Sequence, residues 1–321
     1  MYNRTIIAAA DGSGDHTSVA QAVAAAAPGD RVFIKPGIYR ERVEIFTPGI
    51  TIEGESAENT VISAAYSAKM KDESGEKLGT FRSYTMLVNT DDITCRRLTI
   101  ENTSGFGGEV GQGVAVYAEG NRLMFEDCRI LGHQDTLFTG PLPFREIEKG
   151  GFRGPTEFAP RVAGDQLYRR CYIEGEVDFI FGSARAVFDE CELFSLNCGK
   201  EINGYVTAAS TYSGEEYGYI FRSCRFTSDC PKGSVYLGRP WRDHAQTVLL
   251  DCELGEHIRA EAFHDWNKAE ARKTVIYALY NCRGASYSPE QAAPFVRILT
   301  EQQAQRYYEY ASSVLGLVSP V

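Results

Sequence analysis

Phe125-Glu126-Asp127-Cys128-Arg129-Ile130 is one copy of a pattern that recurs along the chain: a large apolar residue, two residues, Cys, one residue, a large apolar residue. Further copies are Tyr168/Cys171/Ile173, Phe188/Cys191/Leu193, Phe221/Cys224/Phe226 and Leu249/Cys252/Leu254, with weaker ones around Cys95 and Cys282. The step of two from Cys to the next apolar residue is a strand signal. From Cys95 to Cys282 the successive spacings are 33, 43, 20, 33, 28 and 30 residues. Units of this length, each a short strand with turns, bury their apolar face by stacking on one another. The chain therefore reads as an all-β solenoid, best fitted by a right-handed parallel β-helix.

Aligning the copies exposes a second regularity. Cys128 is followed by Gly132 and Asp135, and Cys171 by Gly175 and Asp178, at the same offsets. Equivalent positions on consecutive coils sit one inter-strand spacing apart, roughly 4.8 Å. Asp178 itself lies in Glu176-Val177-Asp178-Phe179-Ile180-Phe181-Gly182, among large apolar residues. A carboxylate in such a run has a dedicated cation, does chemistry, or closes a turn, because burying it unpaired costs several kcal/mol. The second Asp favours chemistry. Two carboxylates that close repel, so one is driven toward its protonated form, as an acid and nucleophile pair requires.

Composition narrows the partners. With 33 Lys and Arg against 43 Asp and Glu, the net charge is −10, which disfavours nucleic acid and acidic membrane surfaces. No run of eighteen apolar residues marks a membrane span. The repeat argues for one domain over 1–321, and a monomer is expected. The start, Met1 to Ala10, lacks the charged and long apolar segments of a secretory leader. Nine Cys is an odd number, and their place in the repeat reads as small buried hydrophobes on inward strand positions. Both features point to a cytoplasmic protein with reduced thiols. The alternative is a secreted protein whose leader has been removed.

Along the chain, 5–10 reads as a strand, Asp11-Gly12-Ser13-Gly14 as a loop and 18–27 as a helix stopped by Pro28-Gly29. The third Gly of a dinucleotide fingerprint is missing, so this unit reads as a cap over the open end of the solenoid. Strand 31–35 follows, then a turn over 37–41, short strands over 43–63, and a polar surface loop over 65–80. The segment 140–165 breaks the period, carrying Pro141, Pro143, Gly150, Gly151, Gly154, Pro155 and Pro160. It leaves the solenoid between the two Asp coils, with hinge-like ends, as a lid or binding wall would. The segment 301–315 reads as a helix packed back on the solenoid.

Other polar residues fall into the same region. Gln134 precedes Asp135, and Gln112 ends the segment one coil earlier; amide donors beside a carboxylate pair suit a developing oxyanion, though either could make a ladder hydrogen bond. Leu237-Gly238-Arg239-Pro240-Trp241 offers Arg239 as a bidentate partner for a buried carboxylate and Trp241 as a flat face for a sugar ring or a core residue. The five His have no metal-ligand spacing, and no Gly-x-Ser-x-Gly elbow occurs.

Five blocks, in order, resemble the signatures of the pectin methylesterases (pectinesterases): Gly37-Ile38-Tyr39-Arg40-Glu41, Gln112-Gly113-Val114-Ala115-Val116, Gln134-Asp135-Thr136-Leu137, Val177-Asp178-Phe179-Ile180-Phe181-Gly182 and Leu237-Gly238-Arg239-Pro240-Trp241. The resemblance runs from about Thr5 to Glu309. It implies a right-handed parallel β-helix esterase that hydrolyses the C6 methyl ester of galacturonate in homogalacturonan or its oligosaccharides, without metal or cofactor. It implies Asp178 as nucleophile, Asp135 as general acid and then base, Gln112 and Gln134 as oxyanion donors, and Arg239 as the residue that keeps Asp178 ionised. Phe181, Trp241 and Val177 would contact substrate. Gly-Val-Ala-Val after Gln112 replaces the family's more usual Ala-Val-Ala-Leu, and the 140–165 loop is longer than in the plant enzymes. The absence of a leader would suit a cell that imports methylated oligogalacturonides. A β-helix glycoside hydrolase or pectate lyase acting on galacturonan, and a non-catalytic carbohydrate-binding helix, are the rivals. The glycosidase leaves both Gln without a task, and the lyase needs Ca²⁺ and a basic catalytic residue.

Overall fold

Strand after strand pairs in parallel with the copy one coil on, in the computed structural model, which describes residues 2–285 and 287–318. The result is a parallel β-helix with faces of 11, 8 and 7 strands. Phe125 pairs with Tyr168, Tyr168 with Phe188, and Phe188 with Phe221, as the repeat requires. Ile130, Ile173, Leu193, Phe226 and Leu254 form the matching file on the 8-stranded face. All of these side chains are buried in the interior. Ring planes in the aromatic file are nearly parallel, with centroids 5.1, 4.8 and 4.5 Å apart from Phe125 to Phe221. Each such contact is worth about 0.5–1.5 kcal/mol beyond its buried area.

Six of the Cys (128, 171, 191, 224, 252 and 282) sit at the corners between strands rather than on them, which corrects the sequence reading. The residue before each of these is left-handed: Asp127, Arg170, Glu190, Ser223, Asp251 and Asn281 have φ between 49° and 54°. A left-handed residue other than glycine costs about 1–2 kcal/mol, so the corner must be held by its surroundings. The thiol does part of this. Cys171, Cys191, Cys224 and Cys252 donate to the carbonyls of Phe125, Tyr168, Phe188 and Phe221 of the preceding coil, at 3.3, 3.2, 3.3 and 3.5 Å. Only a small, weakly polar side chain fits such a corner and still reaches that oxygen. Cys95 is out of frame. It lies on the strand opposite Phe125, and Leu98 occupies the corner beyond left-handed Arg97.

The ends are covered as the sequence implies. Helix Val19–Ala24, capped by the Ser18 hydroxyl, buries Val19, Ala22 and Val23 against the first coils. Helix Glu301–Val318 lays Ala304, Tyr307, Ala311 and Val314 on the outer surface of the 11-stranded face, against Leu167, Val187, Ile220 and Val248. Among the described residues, no helix is long and apolar enough to cross a membrane.

Two local readings change. Gly37–Arg40 is a strand paired with Thr60–Ala64, not a turn, because alternation there buries Tyr39 and exposes Ile38. The 140–165 segment does not have hinge-like ends. Residues 140–143 are buried, the Tyr212 hydroxyl donates to Leu142 O at 2.6 Å, and Arg161 donates to the carbonyls of Pro143, Thr156, Glu157 and Ala159. The prolines and glycines there shape a fixed excursion.

All nine Cys are free, six of them buried, and burial pushes the Cys95 thiol up to about 12. Thiol titration of protein unfolded without reductant should therefore return nine equivalents, with Cys198, Cys230 and Cys282 reacting before unfolding. Recovery of fewer, with disulfide-linked peptides on digestion, would contradict the corner geometry.

Candidate active site

The 7-stranded face carries the site on its outer surface. Its strands Leu137–Thr139 and Val177–Gly182 pair with Leu137 opposite Ile180, which puts Asp135 beside Asp178. The amide of Asp135 donates to Val177 O at 3.1 Å. Plain alternation would send Asp178 to the same side as Ile180, into the interior. A bulge between Val177 and Ile180, where the next coil offers one residue fewer, and left-handed backbone at Asp178 (φ 54°) prevent this. Phe179 and Ile180 both enter the core, while Asp178 and Phe181 stay outside. Asp135 is left-handed too, at φ 63°. Such backbone costs of order 1–3 kcal/mol per residue and gathers where side chains must be aimed.

Both carboxyls are nearly enclosed, Asp135 at 8 % and Asp178 at 7 % exposure. Arg239 grips Asp178 with a fork, Nε to Oδ1 at 2.8 Å and Nη2 to Oδ2 at 2.6 Å. The guanidinium lies between two rings, 3.9 Å from the centroid of Tyr205 and 3.7 Å from that of Trp266. Lys268 donates to Pro240 O and Trp241 O at 2.8 and 3.1 Å, and its charge also favours ionised Asp178. Burial raises the pKa of Asp178, and Arg239 opposes that rise. For Asp135 burial acts with the charge of Asp178, and its pKa stands well above the usual carboxylate range. The two carboxyls are thus set apart: the Arg239 charge favours the ionised form of Asp178, while the charge of Asp178 adds to burial in favouring the protonated form of Asp135.

Gln112 and Gln134 complete the polar wall. Gln112 follows the single helical turn Gly107–Val110, and its carbonyl accepts from Ala68 N at 2.8 Å. Gln134 accepts from Gly113 N at 3.0 Å through its carbonyl, and its side chain favours the ionised form of Asp135 beside it. Asp135, Asp178, Gln112, Gln134, Arg239, Phe181 and Trp241 line one cleft of about 390 Å³. Val177 is not among the lining residues; it is half-buried at the start of its strand, opposite Tyr205.

The cleft also holds residues that the sequence reading did not single out. Phe81 and Phe152 pack with Trp241, the Phe81 ring nearly parallel to the indole at 6.4 Å and Phe152 edge-on at 6.3 Å. Thr80 and Phe81 end the 65–80 loop, while Ile147, Glu148, Gly151 and Phe152 come from the 140–165 excursion. Arg153 pairs with Glu76, tying the two loops together. Tyr205 was reachable from the stacking register, since it faces Val177 one coil on. Trp266 and Lys268 carry no such signal, because their segment follows no repeat. Among the described residues, no group of three or more His, Cys, Asp or Glu side chains is placed to hold a metal ion.

Comparison with known proteins agrees with this architecture. The family model described as Pectinesterase matches residues 5–143 and 161–313, leaving out the middle of the excursion. Pectinesterase 31 of Arabidopsis thaliana is 30% identical, over 96% of this chain and 92% of its own length. A pectin methylesterase solved in complex with a hexasaccharide superposes with a TM-score of 0.80 at 28% identity, covering 100% of this chain and 99% of the other. The pectin methylesterase from carrot superposes at 0.79 with 25% identity, over 100% and 97% of the two chains. The match spans both Asp coils and the Arg239 coil, so the chain belongs to the pectinesterase family.

Proposed function

We propose that this member of the family hydrolyses galacturonate C6 methyl esters in homogalacturonan or its oligosaccharides, with Asp178 as nucleophile and Asp135 as acid and base. The observation that carries this reading is the carboxylate pair: Asp178 gripped by a two-bond Arg fork, Asp135 beside it without one, and two amide side chains in the same cleft. The hexasaccharide bound by a similar pectin methylesterase supports an oligosaccharide as substrate.

An Asp178 oxygen attacks the ester carbonyl carbon. The carbonyl π electrons move to oxygen, and the amide N–H groups of Gln112 and Gln134 stabilise the oxyanion. Collapse expels methoxide, which takes the Asp135 proton and leaves as methanol. Asp135, now ionised, removes a proton from water as the water attacks the acyl-enzyme. A second collapse releases the uronate acid and returns Asp178 to Arg239. The excursion and the 65–80 loop wall the cleft with Phe152, Ile147 and Phe81, so they bear on binding more than on bond breaking.

Incubation with methylated oligogalacturonides of defined length tests the reaction: methanol should appear without new reducing ends and without an ultraviolet-absorbing unsaturated product. Asp178→Asn should keep the fold and lose turnover. Gln112→Ala should lower kcat roughly 10²–10³-fold with little change in KM, because the ground-state ester oxygen is the weaker acceptor. Equal weakening of substrate and product binding at unchanged kcat would remove Gln112 from the oxyanion role.

The pH dependence of kcat/KM should be bell-shaped, falling at low pH as Asp178 is protonated and at high pH as Asp135 loses its proton. Arg239→Gln removes the charge that opposes the raised pKa of Asp178, so that pKa rises further. The acidic limb should then move to higher pH, in addition to a fall in maximal rate. An acidic limb unmoved in this variant would dissociate it from Asp178.

Replacing 144–160 by a short Gly-Ser link should raise KM about tenfold, equivalent to about 1.4 kcal/mol, and alter chain-length preference. Wild-type KM on both short and long substrates would make the excursion a passive one.

A further inference from the structure

Glu176 is a buried carboxylate that the mechanism above does not use. It is 2 % exposed and lies two residues before Asp178. Its Oε1 stands 2.7 Å from His133 Nδ1 and accepts from the amide of Gly107 at 3.3 Å. These three residues belong to three consecutive coils. Glu176 is on the coil of Asp178, His133 on that of Gln134 and Asp135, and Gly107 opens the turn that leads to Gln112. The ring of Phe106 covers His133, with centroids 4.8 Å apart.

Gly107 in turn presses on Gln134. A Cβ built on Gly107 would stand 2.4 Å from Gln134 Cβ and 2.5 Å from its Oε1, so the glycine backbone occupies the space next to that side chain. Five residues further on, Gln112 is fixed through its carbonyl to Ala68 and followed by Gly113, whose amide donates to Gln134 O. The position of Gly107 therefore bears on both Gln side chains, and its amide is held by Glu176.

We infer that Glu176, with His133, is a positioning residue: it clamps Gly107 so that Gln134 and Gln112 stand at the ester oxygen. The buried carboxylate is the only side chain that reaches from the nucleophile's coil across to the Gln112 segment among the described hydrogen bonds. It touches neither the reacting carbon nor the leaving group, and acts through the two amides. This inference rests on the oxyanion role proposed above for Gln112 and Gln134. A displacement of such a donor by about 1 Å can cost on the order of 10²-fold in rate.

Steady-state methanol release by the full chain tests it. Glu176→Ala should lower kcat about 10²-fold with KM nearly unchanged. Glu176→Gln keeps an oxygen that can accept from Gly107, and should recover most of the rate. In a Gln134→Ala background the loss from Glu176→Ala should shrink, because the group it positions is gone. Wild-type kcat in folded Glu176→Ala, or losses that multiply in the double variant, would overturn the inference. If Glu176→Ala does not fold, Gly107→Ala decides. It should lower kcat by displacing Gln134, and an unchanged kcat there counts against the clamp. Should Gln112→Ala and Gln134→Ala themselves leave kcat intact, the oxyanion reading has failed and the clamp falls with it. If they lower kcat while Glu176→Ala does not, the clamp alone has failed.

Discussion

In-register parallel stacking is the constraint on which the rest of this molecule depends. Each coil lies on the next so that like positions meet at one inter-strand spacing, roughly 4.8 Å. For apolar positions this is favourable, and the file from Phe125 to Phe221 gains parallel ring contacts from it. For thiols it is useful, since each corner Cys finds a carbonyl of the preceding coil. For carboxylates it is a liability. Asp135 and Asp178 are brought together by the same register that builds the core, and two anions so close in a desolvated cleft cannot both persist.

The molecule resolves that conflict asymmetrically. Arg239 gives two of its donors to Asp178, and the rings of Tyr205 and Trp266 both pack against the guanidinium. A lysine could supply the charge but not the flat fork that fits between two rings. Among the described hydrogen bonds Asp135 has no such fork, and burial and the charge of Asp178 hold its pKa well above the usual carboxylate range. The two carboxylates differ through which of them has the Arg, not through any difference in the residues themselves. Local backbone strain serves the same end. The bulge at Asp178 costs ladder hydrogen bonds and a left-handed residue, and in exchange aims the carboxylate outward while two apolar neighbours remain in the core.

Above this scaffold the cleft is shaped by segments outside the repeat. The family match omits residues 144–160, yet Ile147, Glu148, Gly151 and Phe152 from that segment line the cleft. Phe152 packs with Phe81 and Trp241, and Arg153 reaches Glu76 on the other loop. Asp135, Asp178 and Arg239 sit on the strands of the coils or directly beside them. The outer wall of the cleft is built by two loops that lean on each other. Such a division lets the wall of the cleft change while the chemistry stays in place.

The ladder is legible in the chain. A period-two step after each Cys, repeated along the chain, specifies parallel stacking, and stacking places Asp135 beside Asp178. That Arg239 suits a buried carboxylate is legible as chemistry, since such a group needs a fork-shaped cation and Arg239 is fixed by the following Pro240; that its partner is Asp178 comes from the family resemblance, and the fork bears it out. Features that arise only on folding lie off the period. The corner position of the Cys, and the frame shift that puts Leu98 where a Cys was expected, depend on left-handed residues that Asp, Arg, Glu and Ser all supply without a common signature. Trp266, Phe152 and the Glu176–His133–Gly107 contact arise where irregular segments meet coils distant in sequence. Periodicity carries information only between positions that repeat, so contacts made by a loop that repeats nothing exist only once the chain has folded.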